Sequence, residues 1–257
     1  MLKKIFLAGS AIVAISGMAQ AADMPLKAAA APVGLYDWSG IYLGGVVGGA
    51  WGTDDLSAPG LGVVGTLLNV PVVQTNNSSG FIGGVEVGSR YQFGKLVVGW
   101  EGDVTWGQLN NTTTNSFGPF FAPGAFTNSV STNVNWTGTG AATVGIAHNN
   151  LLLYGKAGAA VESVKYTDNL SVAGFPVFSG TGSDSNRVGW TVGTGIEWAL
   201  WNNWSVKAEY DYIDFGNRNV AINGSALGLG ISQGIQDNSH VNQFKAGLNW
   251  HIMPNIW

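Results

Sequence analysis

The sequence predicts an all-β fold: an eight-stranded antiparallel, up-and-down transmembrane β-barrel with four long extracellular loops and three short periplasmic turns. Three observations lead there. Eight segments alternate residue character with period two, the strand period. Their connections alternate strictly between long and short. Within the segments, charged residues collect on one parity while the other is apolar or small.

Composition sets the boundaries. The chain has 257 residues, 39 of them Gly, and only 10% are charged. A soluble domain carries roughly 25% charged residues and about 7% Gly. With 11 Lys+Arg against 15 Asp+Glu there is no basic surface for nucleic acid. The absence of Cys excludes a disulfide framework and every Cys-ligated metal site.

The elements follow in order. Lys3 and Lys4 precede an apolar run from Ile5 to Ile15, and Ala19-Gln20-Ala21 offers a small-x-small cleavage pattern. Residues 1–21 therefore read as a secretory signal peptide, whose removal takes the net charge from −4 to −6. Residues 22–37 form an irregular periplasmic lead-in, 38–252 the barrel, and 253–257 a C-terminal tail. After the signal, no stretch is apolar for long enough to form a helical span.

Strands are expected at about 38–52, 80–93, 95–107, 134–148, 150–165, 187–200, 203–215 and 240–252. The short separators are Gly94, His148 to Asn150, and Leu200 to Asn203; the long ones are 53–79, 108–133, 166–186 and 216–239. Compact soluble domains seldom carry four such loops, whereas membrane barrels do at their outer rim. One parity gives Ile41, Leu43 and Val47 in the first strand, Val85 and Val87 in the second, Val98 and Trp100 in the third. It continues through Val144 and Ile146, Leu151 and Leu153, Val192 and Ile196, Val206, and finally Leu248 and Trp250, with no charge in any strand.

The other parity holds Glu86, Arg90, Glu101, Asp103, Lys156, Glu162, Glu197, Lys207, Glu209, Asp211 and Lys245. Aromatics cluster at both strand ends: Trp38, Tyr91, Phe93, Trp198, Trp201, Trp204 and Trp250 at the short-turn rim, and Trp51, Phe81, Trp106, Trp136, Trp190, Tyr212 and Phe215 at the loop rim. Two aromatic girdles suit the two membrane interfaces. Apolar-out and charged-in is then the arrangement. Hydrocarbon tolerates no open sheet edge, so the eighth strand must pair with the first.

The segment Tyr36-Asp37-Trp38-Ser39-Gly40-Ile41-Tyr42-Leu43-Gly44-Gly45 resembles the opening strand of the small porin-like outer-membrane β-barrel family of Gram-negative bacteria, related in architecture to the OmpA membrane domain. Arg187 to Trp198 and Trp204 to Gly216 resemble its sixth and seventh strands. Lys245, Gly247, Trp250 and Ile252 are similar to the C-terminal signal read by the barrel assembly machinery. The resemblance implies residence in the bacterial outer membrane among lipids and lipopolysaccharide. It also implies delivery by periplasmic chaperones and the assembly machinery, a monomeric barrel and no cofactor. Two features depart from the family pattern. Ile252 replaces a terminal aromatic, and Ala141 and Thr143 stand where interior arginines are usual, leaving four interior bases against seven acids.

For function, an eight-stranded barrel is about wide enough for side chains to fill. The interior charges therefore read first as a structural polar network, with an envelope-supporting role for the protein. A narrow cation-preferring channel is the alternative, its path running along Ala141, Thr143, Gly145 and Ala147 and its preference set by Glu101, Asp103, Glu209 and Asp211. Adhesion or ligand capture by the loops, rich in Asn, Thr and Phe, is a third reading. A lipid-modifying enzyme built on Asp237, Ser239 and His240 is a remote fourth, and no catalytic or metal-binding residue is assigned.

Overall fold

In a computed structural model the described residues are 36–57, 73–117, 125–201, 203–226 and 229–252. The expected signal peptide, most of the lead-in and the tail lie outside them. Eight strands follow in chain order: β1 (Gly40–Ser57), β2 (Val73–Phe93), β3 (Leu96–Phe117), β4 (Phe126–His148), β5 (Leu151–Val172), β6 (Phe175–Ala199), β7 (Trp204–Ala226) and β8 (Leu229–Ile252). Each pairs antiparallel with its sequence neighbours, and β1 pairs with β8 from Ile41↔Ile252 to Ser57↔Gln236, closing the barrel.

The apolar parity faces outward. Phe81, Val85, Trp100, Ile146, Leu153 and Trp198 are all more than half exposed on the wall. From Leu96 to Trp106 the outer face of β3 runs eleven residues, ten residue-to-residue steps. At about 3.4 Å per residue and a tilt of about 40°, that run projects to about 26 Å, the height of an outer-membrane apolar band. Two aromatics assigned to the girdles by parity sit elsewhere. Trp38 is wholly buried at the periplasmic end, and Phe215 is buried inside near the outer interface. Trp38 precedes the first ladder residue, Gly40, so strand alternation does not hold it outward.

The strands run well beyond the membrane. The ladder continues through most of the segments expected as loops, and β5 reaches β6 through the two-residue turn Ala173–Gly174 alone, both at positive φ (48° and 84°). Backbone bonding there is supported by outward cross-strand pairs of uncharged residues, including Thr112 with Ser131 (2.8 Å) and Ser179 with Asn169 (2.8 Å). Register shifts mark the border between membrane wall and extension: Trp106/Leu109, Val134/Trp136, Glu162/Val164 and Asp214/Gly216. Such bulges bend a strand and change which parity faces inward. Thus Thr137 and Thr139 of β4 point in below the bulge, while Val130 and Thr132 point in above it.

Candidate functional site: the barrel interior

The inward residues of β5 traverse the whole interior in sequence: Leu152, Tyr154, Lys156, Ala160, Glu162, Val164, Tyr166 and Asp168. They mark alternating apolar and charged layers. At the periplasmic end Trp38, Val97, Ala147, Leu152, Tyr154 and Ala199 form an apolar plug. Trp38 meets Tyr36 edge-on at 4.8 Å and His251 at 5.7 Å between ring centroids.

The main charged layer lies above this plug. Arg90 bonds Glu197 (2.6 Å) and approaches Glu101 (3.7 Å), with its guanidinium 4.4 Å from the Tyr42 ring centroid and 5.2 Å from that of Tyr154. Lys207 contacts Glu86 (2.5 Å), Glu209 (3.0 Å) and Glu101 (3.1 Å). Lys156 contacts Glu209 (2.7 Å), Asp211 (3.1 Å), Glu101 (3.2 Å) and Asp103 (3.6 Å). Lys245 contacts Asp211 (2.7 Å), Glu209 (2.9 Å) and Asp103 (3.2 Å). Tyr42 donates to Glu101 (2.7 Å), Tyr154 donates to Glu209 (2.5 Å), and Thr139 donates to Asp103. Glu197 also accepts from Ser205 and Asn249 and lies 3.1 Å from His251.

Ten of the eleven interior charges named from the sequence therefore meet in one connected network. Its six carboxylates (Glu86, Glu101, Asp103, Glu197, Glu209, Asp211) face four cations (Arg90, Lys156, Lys207, Lys245), an excess of two negative charges. Every ion-paired side chain in this group is at most 1% exposed, apart from the imidazole of His251. Carboxylate oxygens of Glu101, Asp103 and Glu209 lie within 4.8 Å of one another, a spacing compatible with a metal ion. The ammonium of Lys156 contacts all three and already supplies a cation there.

Glycine makes this density attainable. Tyr42 lies across Gly88, its direct partner on β2, and Tyr154 across Gly195, its partner on β6. A Cβ on Gly88 would fall 2.3 Å from the Tyr42 hydroxyl, and one on Gly195 would fall 2.4 Å from Tyr154 Cζ. These glycines, with Gly193 beside Asp211, clear interior space for neighbouring long side chains.

A second apolar layer, Ala50, Ile82, Ala160, Ile213, Phe215 and Val241, covers the network on its outer side. Above it Arg187 bonds Asp237 (2.7 Å) and approaches Glu162 (3.5 Å), while Tyr166 donates to Asp237 (2.5 Å). Glu162, the eleventh residue named from the sequence, belongs to this smaller group. Arg187 shares the inward parity of Glu197 on β6 and was detectable by that signal. Asp237 lies in a segment read as loop and carried none. Val130, Val164, Tyr166 and Ile222 form the outermost apolar cluster.

The remaining sequence candidates separate. Lys245 and Gly247 face inward on β8, whereas Trp250 and Ile252 are exposed on the lipid side. Asp237 and Ser239 are buried inside, but the His240 ring stacks on Tyr212 of the outer wall (6.3 Å). Strand alternation thus places His240 on the opposite face from its two supposed partners. Ala141, Thr143 and Ala147, expected to border a hydrated path, are all buried.

Comparison with known proteins agrees with this architecture. The family model described as outer membrane protein beta-barrel domain matches residues 9–251. A 31 kDa outer-membrane immunogenic protein of Brucella melitensis is 32% identical over 231 residues, covering 85% of this chain and 90% of the relative. A 22 kDa outer membrane protein of Rhizobium leguminosarum is 26% identical over 213 residues, 83% of this chain and 78% of the relative. Among solved structures, the outer membrane protease OmpT of Escherichia coli superposes with a TM-score of 0.50 at 8% identity, covering 83% of this chain and 97% of its own. At that identity the likeness concerns the fold alone.

Proposed function

The chain belongs to the outer membrane protein β-barrel domain family, and from that premise we propose that it serves mainly as a structural element of the outer membrane, with a closed interior and a surface-exposed outer end. The observation that carries this reading is the layering. The central ionic network lies between two apolar plugs, and its side chains are inaccessible to water. Removing one member of a buried ion pair costs about 3–5 kcal/mol, so such a network resists opening. In this role the protein functions as a monomer among lipids and lipopolysaccharide. Residues 1–21 direct export, and periplasmic chaperones and the barrel assembly machinery insert the chain through Lys245, Gly247, Trp250 and Ile252.

The relatives' designation as immunogenic fits a protein whose outer end is displayed. For this chain the displayed part is the strand extension with its connecting segments. The narrow-channel alternative would draw on the two excess negative charges and select cations. Single-channel recording on refolded protein in planar bilayers separates the two. The closed reading expects no stepwise current in KCl. Reproducible steps altered by Asp103→Asn or Glu209→Gln would replace it with the channel.

A further inference from the structure

Above the membrane the barrel wall is not continuous. β2 and β3 pair from Phe93↔Leu96 up to Ile82↔Gly107, and no ladder joins them beyond that point. β2 goes on pairing with β1 as far as Ser57↔Val73, and β3 goes on pairing with β4 as far as Phe117↔Phe126. The two strands therefore part at the outer interface. Over residues 108–117, β3 presents an edge that no described strand covers. A second interruption, between 182–189 of β6 and 215–222 of β7, is bridged by two arginines. Arg218 donates to the Val188 carbonyl (3.0 Å) and Arg187 to the Gly216 carbonyl (3.4 Å).

Strand geometry fixes which groups lie on the β3 edge. The Ala147 N–H donates to the carbonyl of Lys95, which is in phase with inward Val97 (2.8 Å). Inward residues of β3 thus bond toward β4, and outward ones turn their main-chain groups toward β2. In the extension the outward set includes Thr112, Thr114 and Ser116, all exposed. Their N–H and C=O groups recur about every 6.6 Å along the edge. Hydroxyl pairs with β4, Thr112 to Ser131 (2.8 Å) and Thr114 to Ser129 (3.2 Å), keep this stretch extended. Natural edge strands are blunted by Lys, Pro or inward charge, whereas 108–117 contains neither a charged residue nor Pro.

We propose that the outer edge of β3 binds an extended polypeptide segment by strand addition. Main-chain donors and acceptors at a two-residue spacing are matched by another polypeptide backbone, which a lipid or a glycan does not offer. The edge supplies no counter-charge, so the segment it takes is uncharged over the paired stretch. The inference rests on the outer-membrane orientation of the chain and is independent of whether the barrel conducts.

A fluorescein-labelled peptide of residues 126–134 tests it, since this sequence already pairs antiparallel with β3 on the opposite edge. Its fluorescence anisotropy is followed on titration with the refolded full chain in detergent, and saturable binding is expected. Two further peptides carry N-methyl groups on alternate residues. The one whose methyls face β3 should bind about tenfold or more weakly, and the other should bind as the parent does. Thr112→Pro and Thr114→Pro each delete an N–H of the uncovered edge and should weaken binding by about tenfold, while β3 keeps its bonds to β4. Heat-modifiable gel mobility verifies that each variant is folded. A wild type that does not bind the parent peptide overturns the proposal. So does equal binding of the two methylated peptides, or a folded Thr112→Pro that binds as the wild type does.

Discussion

Replacing Lys207 with Met tests the buried network most directly. Its ammonium lies 2.5 Å from Glu86, 3.0 Å from Glu209 and 3.1 Å from Glu101. At an effective dielectric of about 20 each contact is worth about 5–7 kcal/mol of gross attraction. Desolvation of the ion and repulsion from Lys156 and Lys245 offset most of that. The net loss should therefore be about 3–5 kcal/mol, the usual result of orphaning buried charges. Glu209 and Glu101 keep other cations, but Lys207 is the only ion-pair partner of Glu86 among the described residues. Adding Glu86→Gln to Lys207→Met should accordingly recover about 1–3 kcal/mol, measured as the coupling in a double-mutant cycle. Equilibrium urea unfolding of the refolded barrel, followed by Trp fluorescence, gives both values. A single-variant loss below about 1 kcal/mol, with no coupling, would mean that water screens the pair, and the closed interior would be refuted.

Three further outcomes are expected. Gly195→Val should drive its side chain into Tyr154, whose Cζ lies 2.4 Å from the added Cβ position, and destabilise the barrel by about 1–3 kcal/mol in the same urea assay. Gly140→Ala, with nothing within 4 Å on the lipid side, should stay within about 0.5 kcal/mol of wild type. Single Cys probes at Val85 and Leu248 should be protected from aqueous maleimide in intact cells, whereas one at Thr112, exposed on the extension, should label from outside. The reverse labelling pattern would invert the assignment of faces.

The membrane wall was legible because hydrocarbon imposes one rule on every second residue over about ten positions, and Leu96 to Trp106 obeys it without interruption. The extension was not. Strand ends placed near 107, 134, 187 and 215 fall close to the extra residues that β3, β4, β6 and β7 carry at their register shifts, whereas the inward parity of β5 runs unbroken from Leu152 to Asp168 past its expected end at 165. A bulge changes the phase of the alternation, so period-two reading sees an ending where the ladder continues. Above the bulges the outer face meets water and carries Thr, Ser and Asn, a composition shared with loops. The turn at Ala173–Gly174 was hidden because Ala is an unusual residue at positive φ. In the interior, parity revealed which residues point inward but could not pair them. Residues far apart in sequence, such as Arg90 and Glu197, meet across the lumen only once the barrel has closed.

Closure itself gains a means of error detection from the position of Lys245. This residue stands on the last strand, yet it contacts Asp103 of β3 as well as Glu209 and Asp211 of β7. Until β8 arrives, those acids lack one of their cations. If β8 docked one residue out of register, its lipid face would turn inward. Two residues out, the position of Lys245 would pass to Gln243 or Gly247, neither of which carries charge. Only the correct alignment both seals the seam and delivers the fourth cation to the acidic centre, so a slip of β8 against β1 and β7 forfeits these ion pairs as well as the seam.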